Sequence, residues 1–238
     1  MIEAHKKDGL ALTKFIYWIK YINKTKITEV YAQNQLEKFR RLDKNYLYPS
    51  FNTIAGSGSN GAVVHYRATT KATKKIKNKD IFLVDSGGQY NYGTTDVTRT
   101  ICFTNQKKSI KNRYTNVLKG HIAVALTNLR KDNTGKKIDI RARKFLKKEG
   151  LDYAHGTGHG VGFFLNVHEG PQSISKNNTI KIEKGMILSN EPGFYKKNHY
   201  GIRIENLVYV KQLKDKLFFE NLTLAPIEKD LINYKLLN

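Results

Sequence analysis

The chain has 238 residues, of which 39% are hydrophobic and 11% aromatic, enough to bury one sizeable core at the upper end of single-domain size. No apolar run approaches the length of a membrane-spanning helix, the polar start Met1-Ile2-Glu3-Ala4-His5-Lys6-Lys7 leads into no signal-type stretch, and the lone Cys102 cannot form an internal disulfide. These features predict a cytoplasmic protein with no membrane partner. The formal charge of +22, from 42 Lys and Arg against 20 Asp and Glu, raises the question of nucleic acid. The lysines of 71–79, 107–111 and 136–137 fall in segments read as loops and helix surfaces, and no zinc finger, helix-turn-helix or RNP-like aromatic motif accompanies them. Lys, Asn and Ile are abundant together, so the charge is read as compositional and nucleic acid is not an expected partner.

In chain order, apolar residues at helical spacing (Leu10, Phe15, Trp18, Ile19, Ile22) predict a helix over residues 2–23. Thr28 is a candidate cap for a second helix running to about Leu42, with Val30, Leu36 and Phe39 on its apolar face. A turn-rich stretch, 48–60, precedes strand-like runs at 62–66, 80–84 and 97–103, with a turn signal over 86–90. Helices are then predicted over 112–129 and 138–149, and strands over 161–165, 186–189 and 202–210. Two successive helix–helix–strand blocks of similar length suggest a pseudo-two-fold α+β domain over 1–238, with no linker-like segment dividing it.

Five segments place acidic residues or histidines in strand-like or glycine-rich surroundings. The apolar run Ile81-Phe82-Leu83-Val84 ends on Asp85, and Asp96 stands eleven residues on at the start of the next strand, so a hairpin would bring the two carboxylates face to face. Alone, each is more often a turn or cap residue. His155-Gly156-Thr157-Gly158-His159-Gly160-Val161-Gly162 and His168 follow, where four glycines permit close approach of the backbone. Glu191 stands in Asn190-Glu191-Pro192-Gly193, and Glu205 lies among Ile202, Ile204 and Leu207, where a buried carboxylate needs a cation partner. Asp85, Asp96, Glu191 and Glu205 would bring four negative charges together. Two divalent ions neutralise four carboxylates, an imidazole completes the set, and oxygen-rich ligation suits hard ions such as Mn²⁺. Two metals ~3.5–4 Å apart share a water, lower its pKa and hold it for attack on a carbonyl, which implies metal-assisted hydrolysis.

Six segments (60–66, 83–90, 93–100, 155–171, 190–195 and 201–206) resemble, in order and in register, the motifs of aminopeptidase P, the Xaa-Pro branch of the pita-bread metallopeptidases. The resemblance implies a pita-bread fold: a pseudo-two-fold repeat of helices packed on a curved, mostly antiparallel sheet. It also implies two divalent metal ions, usually Mn²⁺, and hydrolysis of an N-terminal Xaa-Pro bond by a water bridged between them. By position, Asp85 resembles a ligand of one metal, Asp96 and Glu205 bridging ligands, and His159 and Glu191 ligands of the other. His168 would contact the substrate amide and assist proton transfer, and Glu191 would accept the proton of the water. His65 and His155 would shape the proline and carbonyl side of the pocket, Arg203 would fix the geometry of the neighbouring bridging Glu205, and Tyr195 matches a tyrosine close to the site.

Members of this branch usually carry one or two domains before the region matched here and a short Trp-containing helix after it, for which these 238 residues offer no counterpart. The expectations that follow are a homodimer or association with a separately encoded N-terminal part. The rival readings are a remnant of such an enzyme with weak or no activity, and a methionine-type aminopeptidase, whose motifs match residues 60–66 and 155–171 less well.

Overall fold

A computed structural model describes residues 1–22 and 24–237. The N-terminal half opens with α1 (Ile2–Tyr21) and α2 (Glu29–Arg40). The strands β1 (Tyr46–Pro49), β2 (Ile54–Ser57), β3 (Ile81–Ser86), β4 (Gly88–Tyr90), β5 (Gly93–Thr94) and β6 (Val97–Cys102) follow. The C-terminal half repeats the order with α3 (Lys108–Ala125) and α4 (Gly135–Lys147), then β7 (Gly158–His159), β8 (Ser173–Ile174), β9 (Ile187–Asn190), β10 (Gly193–Lys196), β11 (Tyr200–Arg203), β12 (Asn206–Leu213) and β13 (Lys216–Asn221).

Each half lays its helix pair on a three-stranded antiparallel sheet, ordered β2-β3-β6 in the first and β13-β12-β9 in the second. Leu12, Phe15 and Ile19 of α1 and Leu36 of α2 pack on Phe82, Val84 and Ile101. Val124, Ile138 and Ala142 of α3 and α4 meet Leu188, Val208 and Phe219. Each such large side chain taken from water contributes ~1.5–3 kcal/mol, so these two layers account for the α+β, pseudo-two-fold arrangement expected. The halves join where Glu205 donates its backbone N–H to the Thr98 carbonyl (3.1 Å) and Thr100 Oγ1 donates to the Arg203 carbonyl (3.0 Å).

Several local expectations are corrected. On α1 the buried face is Ala4, His5, Asp8, Ala11, Leu12, Phe15 and Ile19, while Leu10 and Ile22 are exposed; Asn23, the expected helix end, lies outside the described residues, as does Asn238. Residues 62–66 form no strand: a 3-10 turn, Gly58–Ala62, ends at Ala62 and the chain continues irregularly, while β1 and β2 occupy the stretch read as turns. The 86–90 segment turns only at Gly87 before pairing as β4, whose partners are β1 and β5. The run 161–165 is a loop in which Val161 is buried and Phe163, Phe164 and Leu165 face solvent, rather than alternating across a sheet. The 202–210 run is split at Ile204-Glu205 into β11 and β12. The strands of the described residues group into five hydrogen-bonded sets, and every registered pair in them is antiparallel, as expected of the fold. No helix of the described residues is long and apolar enough to cross a membrane.

Candidate active site

The two halves face each other across a cavity of about 260 Å³ whose wall includes His65, Asp85, Asp96, His155, His159, His168, Glu191, Arg203 and Glu205. The antiparallel pairing of β3 with β6, Asp85 opposite Thr98 and Ser86 opposite Val97, brings Asp85 and Asp96 to one end of the sheet. The junction of β11 and β12 supplies Arg203 and Glu205. His159 ends β7, whose glycine-rich surroundings have a steric reason: a Cβ on Gly158 would collide with the Ser189 carbonyl, and one on Gly160 with the Glu169 carbonyl. Of the ten residues expected at the site, only Tyr195 is absent from the wall, yet its hydroxyl lies 2.8 Å from His155 Nε2 and accepts from Arg203 Nη1 at 2.7 Å.

At the centre, Asp96, His159 and Glu205 each offer a donor atom within 4.8 Å of the other two. His159 Nε2 stands 3.4 Å from both Asp96 Oδ2 and Glu191 Oε1, while its Nδ1 lies 2.8 Å from the Gly160 carbonyl. That second contact fixes the ring and leaves Nε2 to face the carboxylates. Ser189 Oγ donates to Glu191 Oε1 (3.0 Å). Arg203 does not grip Glu205 directly, as its position beside that residue had suggested. Its Nη2 donates to Asp85 Oδ2 (2.6 Å) and its Nε to Thr98 Oγ1 (3.1 Å), and the Thr98 hydroxyl donates to Glu205 Oε2 (2.7 Å).

Electrostatics describe a site short of positive charge. Burial raises the pKa of Asp96 to about 6, with the charges of Asp85 and Glu191 adding to the effect and His159 opposing it. Burial likewise raises Glu191 and lifts Glu205 well above the carboxylate range. For His159, burial favours the neutral ring but is outweighed by the hydrogen bond to Asp96 and the charge of Glu191, and its pKa rises to about 9. Asp85 Oδ1 is buried with no hydrogen-bond partner. A set of four carboxylates, three buried and Glu191 partly so, with one imidazole, one orphaned carboxylate oxygen and Arg203 as the cation in contact, is the donor chemistry of a hard divalent-ion site. A second acidic cluster, Cys102, Glu228 and Asp230, differs: Lys20 already sits 2.8 Å from Glu228 and 3.2 Å from Asp230.

Several residues at or behind the site were not expected from sequence. Thr98 and Ser189 hold two carboxylates, and Phe51, Ile54, Val64 and Val167 line the cavity. Arg99, fully buried, donates to the carbonyls of Thr98 (2.9 Å), Glu205 (2.5 Å), Ala225 (2.7 Å) and Pro226 (3.0 Å) and to Asn206 Oδ1 (2.9 Å), tying the two halves together. The only advance signal was the Thr-Arg-Thr run following Asp96-Val97, where an arginine interrupts a strand otherwise suited to burial.

The sequence profile of metallopeptidase family M24 matches residues 1–212. A probable Xaa-Pro aminopeptidase P of Paracoccidioides brasiliensis (strain Pb03) is 44% identical over 252 residues, an alignment covering 100% of this chain and 41% of the fungal protein. The crystal structure of an X-prolyl aminopeptidase from Caenorhabditis elegans, described as a cytosolic enzyme with a di-nuclear active site, matches with a TM-score of 0.92 at 37% identity, covering 100% of this chain and 40% of that one. The prolidase from Pyrococcus furiosus matches with a TM-score of 0.80 at 28% identity, covering 94% of this chain and 64% of its own. The chain thus has the pita-bread fold, and it belongs to metallopeptidase family M24. It spans about two fifths of the length of the curated relatives it matches.

Proposed function

We propose that residues 1–238 form the catalytic domain of a metal-dependent aminopeptidase that hydrolyses the N-terminal Xaa-Pro peptide bond. The observation that carries this reading is the meeting of Asp96, His159 and Glu205 within 4.8 Å, flanked in the same cavity by Asp85 and Glu191. Asp85, Asp96, His159, Glu191 and Glu205 would hold two divalent cations, with Mn²⁺ the ion best suited to so many oxygens. Bound there, such ions polarise a carbonyl and lower the pKa of water.

The chain's own residues do the rest. Glu191, steadied by Ser189, accepts a proton from the attacking water. His168 is exposed at the rim with its ring 4.1 Å from that of His159, and burial followed by the charge of His159 keeps its pKa low, so near neutrality it is an uncharged imidazole able to contact the scissile amide. His155, whose pKa burial lowers to about 4, is held by Tyr195 and faces the proline side with His65. Arg203 holds Asp85 directly and Glu205 through Thr98, which fixes the spacing of ligands drawn from the two halves. The likeness to a cytosolic enzyme and the single buried cysteine support a cytoplasmic location.

The test is direct. The chain equilibrated with Mn²⁺ and freed of excess is expected to hold two ions and to release Ala from Ala-Pro-Ala. Asp96→Ala is expected to lose at least one ion and activity by about a hundredfold or more. No bound ion at saturation, or faster release of Met from Met-Ala-Ala, overturns the reading.

A further inference from the structure

The run Phe163-Phe164-Leu165 does not join the core. It caps a hairpin-like loop closed by two backbone hydrogen bonds, Glu169 N–H to the Gly160 carbonyl (2.9 Å) and Gly162 N–H to the Asn166 carbonyl (3.0 Å). At its tip three consecutive large apolar side chains lie in solvent, Phe163 at 58%, Phe164 at 42% and Leu165 at 62% exposure. Isolated exposed hydrophobics are ordinary; three in a row on one tip are a contact surface by default. Phe164 moreover has φ +54°, a left-handed conformation a bulky residue rarely adopts and one retained chiefly where the surroundings enforce it.

The feet of this loop are site residues. His159 precedes one foot and His168 stands at the other, and Val167, two residues from Leu165, lines the cavity. The tip is also tethered to the opposite half of the molecule, where Gln89 Nε2 donates to the Leu165 carbonyl (2.9 Å) while Gln89 Oε1 accepts from Thr94. The apolar tip is thereby held in place, its last residue two positions from the cavity wall at Val167.

We propose that Phe163, Phe164 and Leu165 are a binding surface for the leaving part of the peptide, favouring an apolar side chain at the third residue of the substrate. This rests on the aminopeptidase reading. In such a substrate only one residue lies on the amino side of the scissile bond, so any further length must run out past the mouth on the carboxyl side. An apolar rim there meets residues that follow the proline.

The experiment compares Ala-Pro-Phe-Ala with Ala-Pro-Ser-Ala on the Mn²⁺-loaded chain and on a Phe163→Ser/Leu165→Ser double variant, whose altered side chains are solvent-exposed. The original chain is expected to prefer the Phe peptide in kcat/KM by about tenfold, and the variant to cleave the two peptides with equal kcat/KM. An original chain with no preference, or a variant that retains it, overturns the inference. A variant that keeps the preference but changes oligomeric state in sedimentation also overturns it, assigning the tip to a protein contact. If neither peptide is cleaved, the aminopeptidase reading has failed; the uncleaved peptides are then titrated calorimetrically. Tighter binding of the Phe peptide that vanishes in the variant supports the surface, and equal affinities refute it.

Discussion

The two halves of the molecule solve one problem in different ways. Each sends a buried guanidinium–carboxylate pair from its helix layer to the backbone that carries site residues. In the first half Asp8 of α1 pairs with Arg40 of α2 (2.7 Å), and Arg40 goes on to Ser86 Oγ (3.1 Å), next to Asp85, while Tyr90 donates to Asp8 (3.0 Å). In the second half both partners stand on α4, Asp139 and Arg143 one turn apart (2.7 Å). Arg143 also donates to the carbonyls of Tyr153 and His155 (2.7 Å each) and to Asp152 (2.6 Å), and Thr157 donates to Asp139 (2.6 Å). The first pair is a bolt between helices and strand; the second is a local clasp on the loop that leads to His159. The bolt exists only once the tertiary structure forms, whereas the clasp is set by i,i+4 spacing on one helix.

The largest effect expected tests that contrast. Arg40→Met leaves Asp8 buried without its counter-ion and should cost ~3–5 kcal/mol in urea denaturation. Arg143→Met should cost less, ~2–3 kcal/mol, because Asp139 and Asp8 each keep a hydroxyl donor but Asp152, the second carboxylate Arg143 pairs with, is about one-third exposed to water. A greater loss for Arg143→Met would break the comparison.

A second effect concerns the cavity where the halves meet. With no cation bound, Asp96, raised to about 6, and His159, raised to about 9, both favour their protonated forms in the folded state. Their stabilisation is complete below their unfolded pKa values, ~3.9 and ~6.5, and is lost as pH rises through the folded ones. His155, lowered to about 4, acts in the opposite sense, its contribution being present above ~6.5 and lost as pH falls toward 4. Because cation binding needs the two ligands deprotonated, the rise in Tm caused by Mn²⁺ should grow from pH 5 to pH 8. A rise that shrinks over that range contradicts the assignment of these ligands.

The smallest effect sharpens the comparison at the helix starts. Thr28 Oγ1 accepts from the Tyr31 N–H and caps α2, whereas Thr134, at the matching place on α4, makes no side-chain cap. Thr28→Ala should cost ~1 kcal/mol and Thr134→Ala no more than ~0.5 kcal/mol. Equal losses would mean that the second cap forms in solution.

Much of the layout was legible because it is written locally. Periodicity gave the four helices to within a few residues, and Thr28 announced its cap. The failures share one cause, that tertiary partners override a local pattern. Leu10 keeps helical spacing yet is exposed, while Asp8, three residues after His5, is buried because Arg40 arrives from another helix. Residues 161–165 have the composition of a strand, but pairing stops at Val161, whose N–H reaches the Ile187 carbonyl, and the backbone bonds of Gly160 and Gly162 close the rest into a loop. Residues 202–210 read as one strand, but Glu205 must turn toward the cavity, and the ladder breaks there.

By itself, the sequence determined the four helices, several of the strands, the pairing of two helix–helix–strand blocks and the choice of ten candidate residues, because spacing and residue chemistry are properties of the chain. Only the tertiary structure decided which of them touch. It made Arg203 the partner of Asp85, interposed Thr98 before Glu205, buried Arg99 among carbonyls of both halves, and left Phe163–Phe164–Leu165 exposed on a loop tied to Gln89. Those outcomes depend on contacts between residues up to 127 positions apart, and no local propensity encodes a contact whose partner arrives only when the two layers close.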